Sequence, residues 1–318
     1  MRYVPSAGGP TEGATAPQVG TSDRPWQDYA LLLLLACIFG SNFMMTKITV
    51  AVMPPAFVVS ARLAVATLML AFIMAATRAP WPRGRIWIAI LASGLFGHTL
   101  PFTLLAYGQQ VVDAGIAAIL MATMPLFTLL LAQLFTKDER PNRYAAAGFA
   151  IALGGIILLF GPSRLGQMDA TSVAQLMIAT AAISYGINSI ITKSLLTVRW
   201  EGVATAFMAS AFVLSLPALW LNVSTWPEAP ATAWAALAYT GLGPTATGAI
   251  LVVALVRRAG ASFASQINFA VPVVGTALAI IFMGEVLSAN AWFALIIILG
   301  GVALARRRPS SKPALEAT

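Results

Sequence analysis

The sequence predicts an all-α integral membrane protein of ten transmembrane helices, built as two inverted-topology five-helix repeats. Three observations predict it. The 318 residues are 59% hydrophobic and only 9% charged, with a mean hydropathy of +0.83; a soluble domain carries about 25% charged residues to solvate its surface. Ten apolar runs of roughly membrane-spanning length follow one another through short connections. Sixteen of the nineteen Lys and Arg fall in the two terminal segments and every second connection. Backbone groups in lipid must be satisfied within the segment, so the runs are helices. A closed barrel would show alternating segments of about ten residues, and none occur.

A head, residues 1–28, is rich in Gly, Thr, Ala and Pro, lacks an apolar stretch and reads as a disordered cytoplasmic segment rather than a signal peptide. The first run covers 29–49 and stops before Pro54-Pro55. The second, 56–77, stops before Pro80-Trp81-Pro82. The third and fourth are 86–107 and 113–135. Pro141-Asn142 precedes the fifth, 143–161, which completes the first repeat, 29–161. The second repeat, 172–306, holds 172–192, 203–222, 232–256, 262–283 and 288–305, and a cytoplasmic tail, 307–318, follows. With the amino terminus inside, sixteen basic residues fall in inner segments, and Arg164 stands alone outside. Lys47 and Arg62 lie within runs. This bias places both termini in the cytoplasm.

The net charge of +8 and pI of 10.2 therefore reflect topology and attraction to anionic headgroups, not nucleic acid. One cysteine, Cys37, excludes an internal disulfide and a cysteine-based metal site. One histidine, His98, excludes an HExxH site. No metal or cofactor is expected. The chain has no GxxxxGK[ST] loop, so no ATPase is built in and no ATPase subunit is required.

The two halves repeat at 146–147 residues. Gly40-Ser-Asn-Phe-Met-Met-Thr-Lys47 matches Gly186-Ile-Asn-Ser-Ile-Ile-Thr-Lys193. Gly94 matches Gly241, Pro125 matches Pro272, Asp138 matches Glu285, and Gly154 matches Gly301. Five helices is an odd number, so the second half enters the membrane inverted. Such repeats are the architecture of alternating access around a midplane site.

These segments resemble the drug/metabolite transporter superfamily, specifically EamA-type bacterial transporters, over about residues 30–305. The resemblance rests on FGSNFMMTK, SARLAVATLML and GIAAILMATMPLFTLLLAQLF followed by KDER in the first half. ASFASQINFAVPVVGTALAIIFMGEVLS and ILGGVAL carry it in the second. The first half departs from the usual Gly-Glu pair, reading Lys137-Asp138-Glu139. The resemblance implies a secondary transporter of amino acids, related metabolites or toxic compounds, often outward, in a bacterial inner membrane. It also implies a central cavity lined mainly by helices 1, 3, 4, 6, 8 and 9.

Candidate cavity residues are the polar groups expected at depth and the helix breaks. Asn42 and Asn188 are repeat mates; each serves either a ligand or an interhelical hydrogen bond. Tyr185 and His98 lie near mid-span, and His98 is the one group with an ordinary pKa near neutrality. Tyr239 lies in the outer half of helix 8, and Gln266 and Asn268 precede Pro272. Pro101, Pro125, Pro244 and Pro272 are expected to break helices that line the cavity. Arg62 matches a family position and serves either an outer salt bridge or an anionic substrate. Lys47 with Glu285, and Lys193 with Asp138, would form symmetric gates, or each merely anchors a helix end. No Asp or Glu lies deep in any run, which suits a neutral, zwitterionic or anionic solute.

The expected function is secondary transport of a small polar or amphipathic metabolite, an amino acid or related compound, outward by alternating access. The alternatives are an importer of a neutral metabolite or vitamin, a passive channel, and a membrane-embedded enzyme. The last would need an acid/base or metal cluster that one His cannot supply. The partners are a small-molecule substrate and the bilayer.

Overall fold

A computed structural model describes residues 25–135, 143–161, 169–193, 195 and 200–307. Asp138 and the side chain of Lys193 lie outside this description, so the second expected gate does too. Ten helical spans occupy the described chain: span 1, Trp26–Val50; span 2, Pro55–Ala76; span 3, Ile86–Val111; span 4, Ala114–Phe135; span 5, Arg143–Phe160; span 6, Ala170–Thr192; span 7, Trp200–Asn222; span 8, Ala231–Ala259; span 9, Ala261–Met283; span 10, Ala289–Ala305. Nine are long and apolar enough to cross a bilayer. Span 10 has 17 residues, about 26 Å of helix, slightly short of a hydrocarbon core of about 30 Å.

Span 1 begins at Trp26, three residues inside the expected head. Asp28 is buried, and its carboxylate accepts from Nε of Arg258 at the end of span 8 (3.1 Å), so the first helical turn has tertiary support. This contact marks one side of the bundle, called the near side below. Arg306, after span 10, donates to the carbonyl of Ser265 near the start of span 9 (3.2 Å) on the same side. The ends of spans 1 and 9 and the start of span 4 meet on the opposite, far side.

The repeat seen in sequence is a geometric symmetry. A Cβ on Gly40 would lie 2.8 Å from the nitrogen of Gly275, so spans 1 and 9 touch backbone to backbone. Spans 6 and 4, the repeat mates of spans 1 and 9, do the same: a Cβ on Gly186 would lie 3.1 Å from the nitrogen of Thr128. Spans 2 and 7 exchange reciprocal bonds: Ser60 Oγ donates to the Ser215 carbonyl (3.4 Å) and Thr205 Oγ to the Leu70 carbonyl (3.0 Å). Spans 5 and 10 pack through Gly148 and Gly301, each facing the other's carbonyl. Membrane helices associate by such close packing, because lipid removes the hydrophobic drive between them. Large apolar side chains such as Leu68, Phe72, Ile88 and Ile281 are exposed on the outside of the bundle.

Four spans are irregular, three of them where the repeat places Gly and Pro. Leu95–Thr99 in span 3 and Gly241–Thr247 in span 8 are π-helical turns, closed by N–H groups of Leu100 and Gly248 on the carbonyls of Leu95 and Gly243. Such turns recur at functional sites. Span 4 opens between Met121 and Met124, just before Pro125. Span 9 differs from expectation: the helix Ile267–Met283 runs through Pro272, and the interruption lies at Ser265–Gln266.

Candidate functional site

The irregular spans enclose a central cavity of about 550 Å³. Its lining includes Ala118 and Leu105 at mid-bundle and extends to Val256, Ala261 and Ser265 at the near-side ends of spans 8 and 9. On the far side the chain is knit together. Lys47 Nζ donates to the Val112 carbonyl (3.0 Å) and lies 3.9 Å from Asp113. The Glu285 carboxylate accepts from the backbone N–H groups of Ala114 (2.7 Å) and Gly115 (2.8 Å). These are orphan donors of the first turn of span 4, where a helix favours negative charge. Lys47 and Glu285 thus do not pair with each other, as the gate expectation required. Both hold the turn between spans 3 and 4, which stands between them. Buried Gln109 adds a bond from Nε2 to the Phe43 carbonyl (2.9 Å).

Of the expected site residues, Asn42, Arg62, His98, Tyr185, Asn268, Pro125, Pro244 and Pro272 line the cavity. Tyr239 does not; its hydroxyl bonds Ser41 Oγ (2.7 Å) between spans 8 and 1. Gln266 is exposed, and Pro101 is buried outside the lining. Asn188 packs behind Gly97, where a Cβ would fall 2.5 Å from its amide nitrogen. The side-chain oxygens of both Asn42 and Asn188 are buried with no protein partner among the described residues. Asn42 lines the cavity as a residue, but its unpartnered oxygen is itself buried. His98 Nδ1 approaches the Ser93 carbonyl (3.3 Å), and its ring lies edge-on to Phe102 and tilted against Phe207.

Arg62 is the charged centre of the site. It is 6% exposed. Its Nε donates to Thr245 Oγ1 (2.7 Å), and its guanidinium carbon lies 3.9 Å from the centre of the Phe102 ring. A guanidinium has five N–H donors. The four on Nη1 and Nη2 meet no acceptor among the described residues, and no carboxylate lines the cavity. The rest of the wall is mostly apolar and includes Met121, Met124 and Met208, whose flexible thioethers adapt to varied shapes. Neither Thr245 nor Phe102 stands out in the sequence, because a Thr and a Phe in a membrane helix read as packing residues. A larger groove of about 640 Å³ at the far end of span 7 is lined by Phe57, Trp220 and Trp226. Its lining holds no charged side chain and no residue of the irregular spans 3, 4, 8 and 9.

Ten spans in two inverted halves around a closed-ended cavity define an integral membrane transporter. The EamA-like transporter family model matches twice, over residues 28–161 and 172–307, and the chain belongs to that family; it is not an enzyme. It is 31% identical to a "Probable terminal-alkyne amino-acid exporter" of Streptantibioticus cattleyicolor, over 79% of this chain and 86% of that protein. It is 28% identical to an "Uncharacterized inner membrane transporter YedA" of Escherichia coli, over 87% and 89%. A "Probable amino-acid metabolite efflux pump" of Salmonella typhimurium is 26% identical, over 87% and 93%. A solved crystal structure with 21% identity shares the fold at a TM-score of 0.61, covering 89% of this chain and 98% of the other.

Proposed function

We propose that the protein exports a small amphipathic carboxylate, an amino acid or a related metabolite, by alternating access. The carrying observation is Arg62: a buried cation with four free donors, in an otherwise largely apolar cavity without a carboxylate. A charge at membrane depth needs a counter-charge. A guanidinium fork binds a carboxylate through two parallel bonds, with geometry as well as charge selecting it. The Met-rich wall suits an apolar side chain. The positive-inside bias makes the near side cytoplasmic, so the cavity opens toward the compartment from which an exporter loads. The names of the relatives agree with that direction. Purified protein in liposomes tests the reading: apolar amino acid trapped inside should accelerate uptake of labelled amino acid. Uptake indifferent to trapped solute would indicate a channel, and no uptake of any carboxylate would refute the substrate class.

A further inference from the structure

We infer that Thr245 is the positioning residue of the Arg62 fork, and that the π-helical turn of span 8 exists to hold it there; the inference rests on the carboxylate reading of Arg62. Pro244 has no N–H, so the Thr240 carbonyl one turn earlier loses its ordinary α-helical donor. Thr245 Oγ1 donates to that carbonyl at 2.7 Å. The only hydrogen of the hydroxyl is thereby committed, and its lone pairs face outward as acceptors. Arg62 Nε occupies one at 2.7 Å. The hydroxyl is buried, so no solvent competes for either bond.

Two constraints now act on one planar group. Thr245 pins the Nε edge of the guanidinium, and the Phe102 ring, 3.9 Å away, supports its face. The opposite edge, with Nη1 and Nη2, is left to the cavity. A fork held in this way loses little freedom when a carboxylate docks, which is how preorganisation raises affinity.

The other half of the protein lacks the arrangement. The reciprocal bonds of Ser60 and Thr205 relate spans 2 and 7 at 145 residues, which puts Phe207 where Arg62 stands. Phe207 meets the His98 ring. Phe207 is not part of the cavity lining, and Arg62 is the one Lys or Arg among the described lining residues, so a carboxylate has a single cationic place to dock.

The test compares Thr245→Val, which keeps shape and loses the hydroxyl, with Thr245→Ser, which keeps it. Proteoliposome uptake of L-phenylalanine and of L-phenylalaninamide is measured for both variants, the parent and Arg62→Gln. Thr245→Val should raise KM for phenylalanine about tenfold with the maximal rate little changed and leave the amide unaffected, while Thr245→Ser behaves as the parent. Equal losses for acid and amide in Thr245→Val, or failure of Thr245→Ser to restore the acid, would overturn the positioning role. A merely structural part would produce that pattern. If the parent shows no preference for the acid, or Arg62→Gln retains one, the carboxylate reading itself fails, and the inference with it. If Arg62→Gln loses the preference and Thr245→Val keeps it, only the positioning role is refuted.

Discussion

Removing the Glu285 carboxylate should release the far side of the cavity. The carboxylate caps span 4 with bonds of 2.7 and 2.8 Å to Ala114 and Gly115, and Gly115 leaves room for it: a Cβ there would lie 3.1 Å from Oε2. A hydrogen bond to a charged group is worth about 1.5–3 kcal/mol. Glu285 is half-buried, so water partly replaces the two bonds, and the net loss in Glu285→Ala is about 1–3 kcal/mol. The nearby Lys47–Asp113 pair is 3.9 Å long, with Asp113 59% exposed, and such exposed pairs contribute about 0–1 kcal/mol. The cap therefore dominates the far-side closure. If closure is lost only on that side, the ratio of far-open to far-closed protein rises roughly 5- to 150-fold. The assay replaces Cys37 by Ser, places a cysteine at Leu105 in the cavity lining, and follows modification in intact cells by an impermeant thiol reagent. Glu285→Ala should speed modification by about that factor, and Asp113→Asn by less than about fivefold. An unchanged or slower rate in Glu285→Ala, with expression intact, would refute the reasoning.

Two further expectations concern packing and orientation. A side chain at Gly148 runs into the Gly301 carbonyl and the Ala305 backbone, whereas nothing lies within 4 Å of a Cβ at Gly154. Gly148→Ala should cost about 1–3 kcal/mol through overpacking, seen as a fall of roughly 2–12 °C in the Tm of purified protein, while Gly154→Ala leaves Tm unmoved. For topology, an impermeant reagent applied to intact cells should modify a cysteine replacing Thr225 and spare one replacing Arg83, as the positive-inside bias requires; the reverse pattern would invert the protein.

The ten spans were legible because each apolar run must satisfy its own backbone in lipid, and because Pro pairs and basic clusters punctuate them. The repeat was legible because Gly40 and Gly186 are needed for backbone contact on spans 9 and 4, so small residues recur in register. The site was legible where it is polar and where prolines mark it: Pro125, Pro244 and Pro272 line the cavity. Asn42, Arg62, His98, Tyr185 and Asn268 line the cavity, but Tyr239 shares the same profile and spends its hydroxyl on Ser41. A polar residue at depth must find a partner, and composition does not say whether that partner is a helix or a ligand. Pro272 misled for a related reason. A proline removes one helical bond without ending the helix, and the interruption in span 9 formed at Ser265–Gln266, where the Ser265 carbonyl accepts from Arg306. The Lys47–Glu285 pairing followed from the repeat alone, which cannot show that the turn between spans 3 and 4 inserts between the two and takes both side chains. Thr245 carried no signal, since its role comes from a bond to the Thr240 carbonyl within the π-helical turn of its own span.

The central claim is that Arg62 receives the substrate carboxylate. The most direct measurement is an experimental structure of the protein bound to an amino acid that it exchanges in liposomes. The account predicts the carboxylate on Nη1 and Nη2 of Arg62, with two N–O distances of about 2.7–2.9 Å, Nε still on Thr245, and the apolar side chain among Met121, Met124 and Met208. A carboxylate lying elsewhere in the cavity, with the Arg62 fork turned away or held by water, would contradict it.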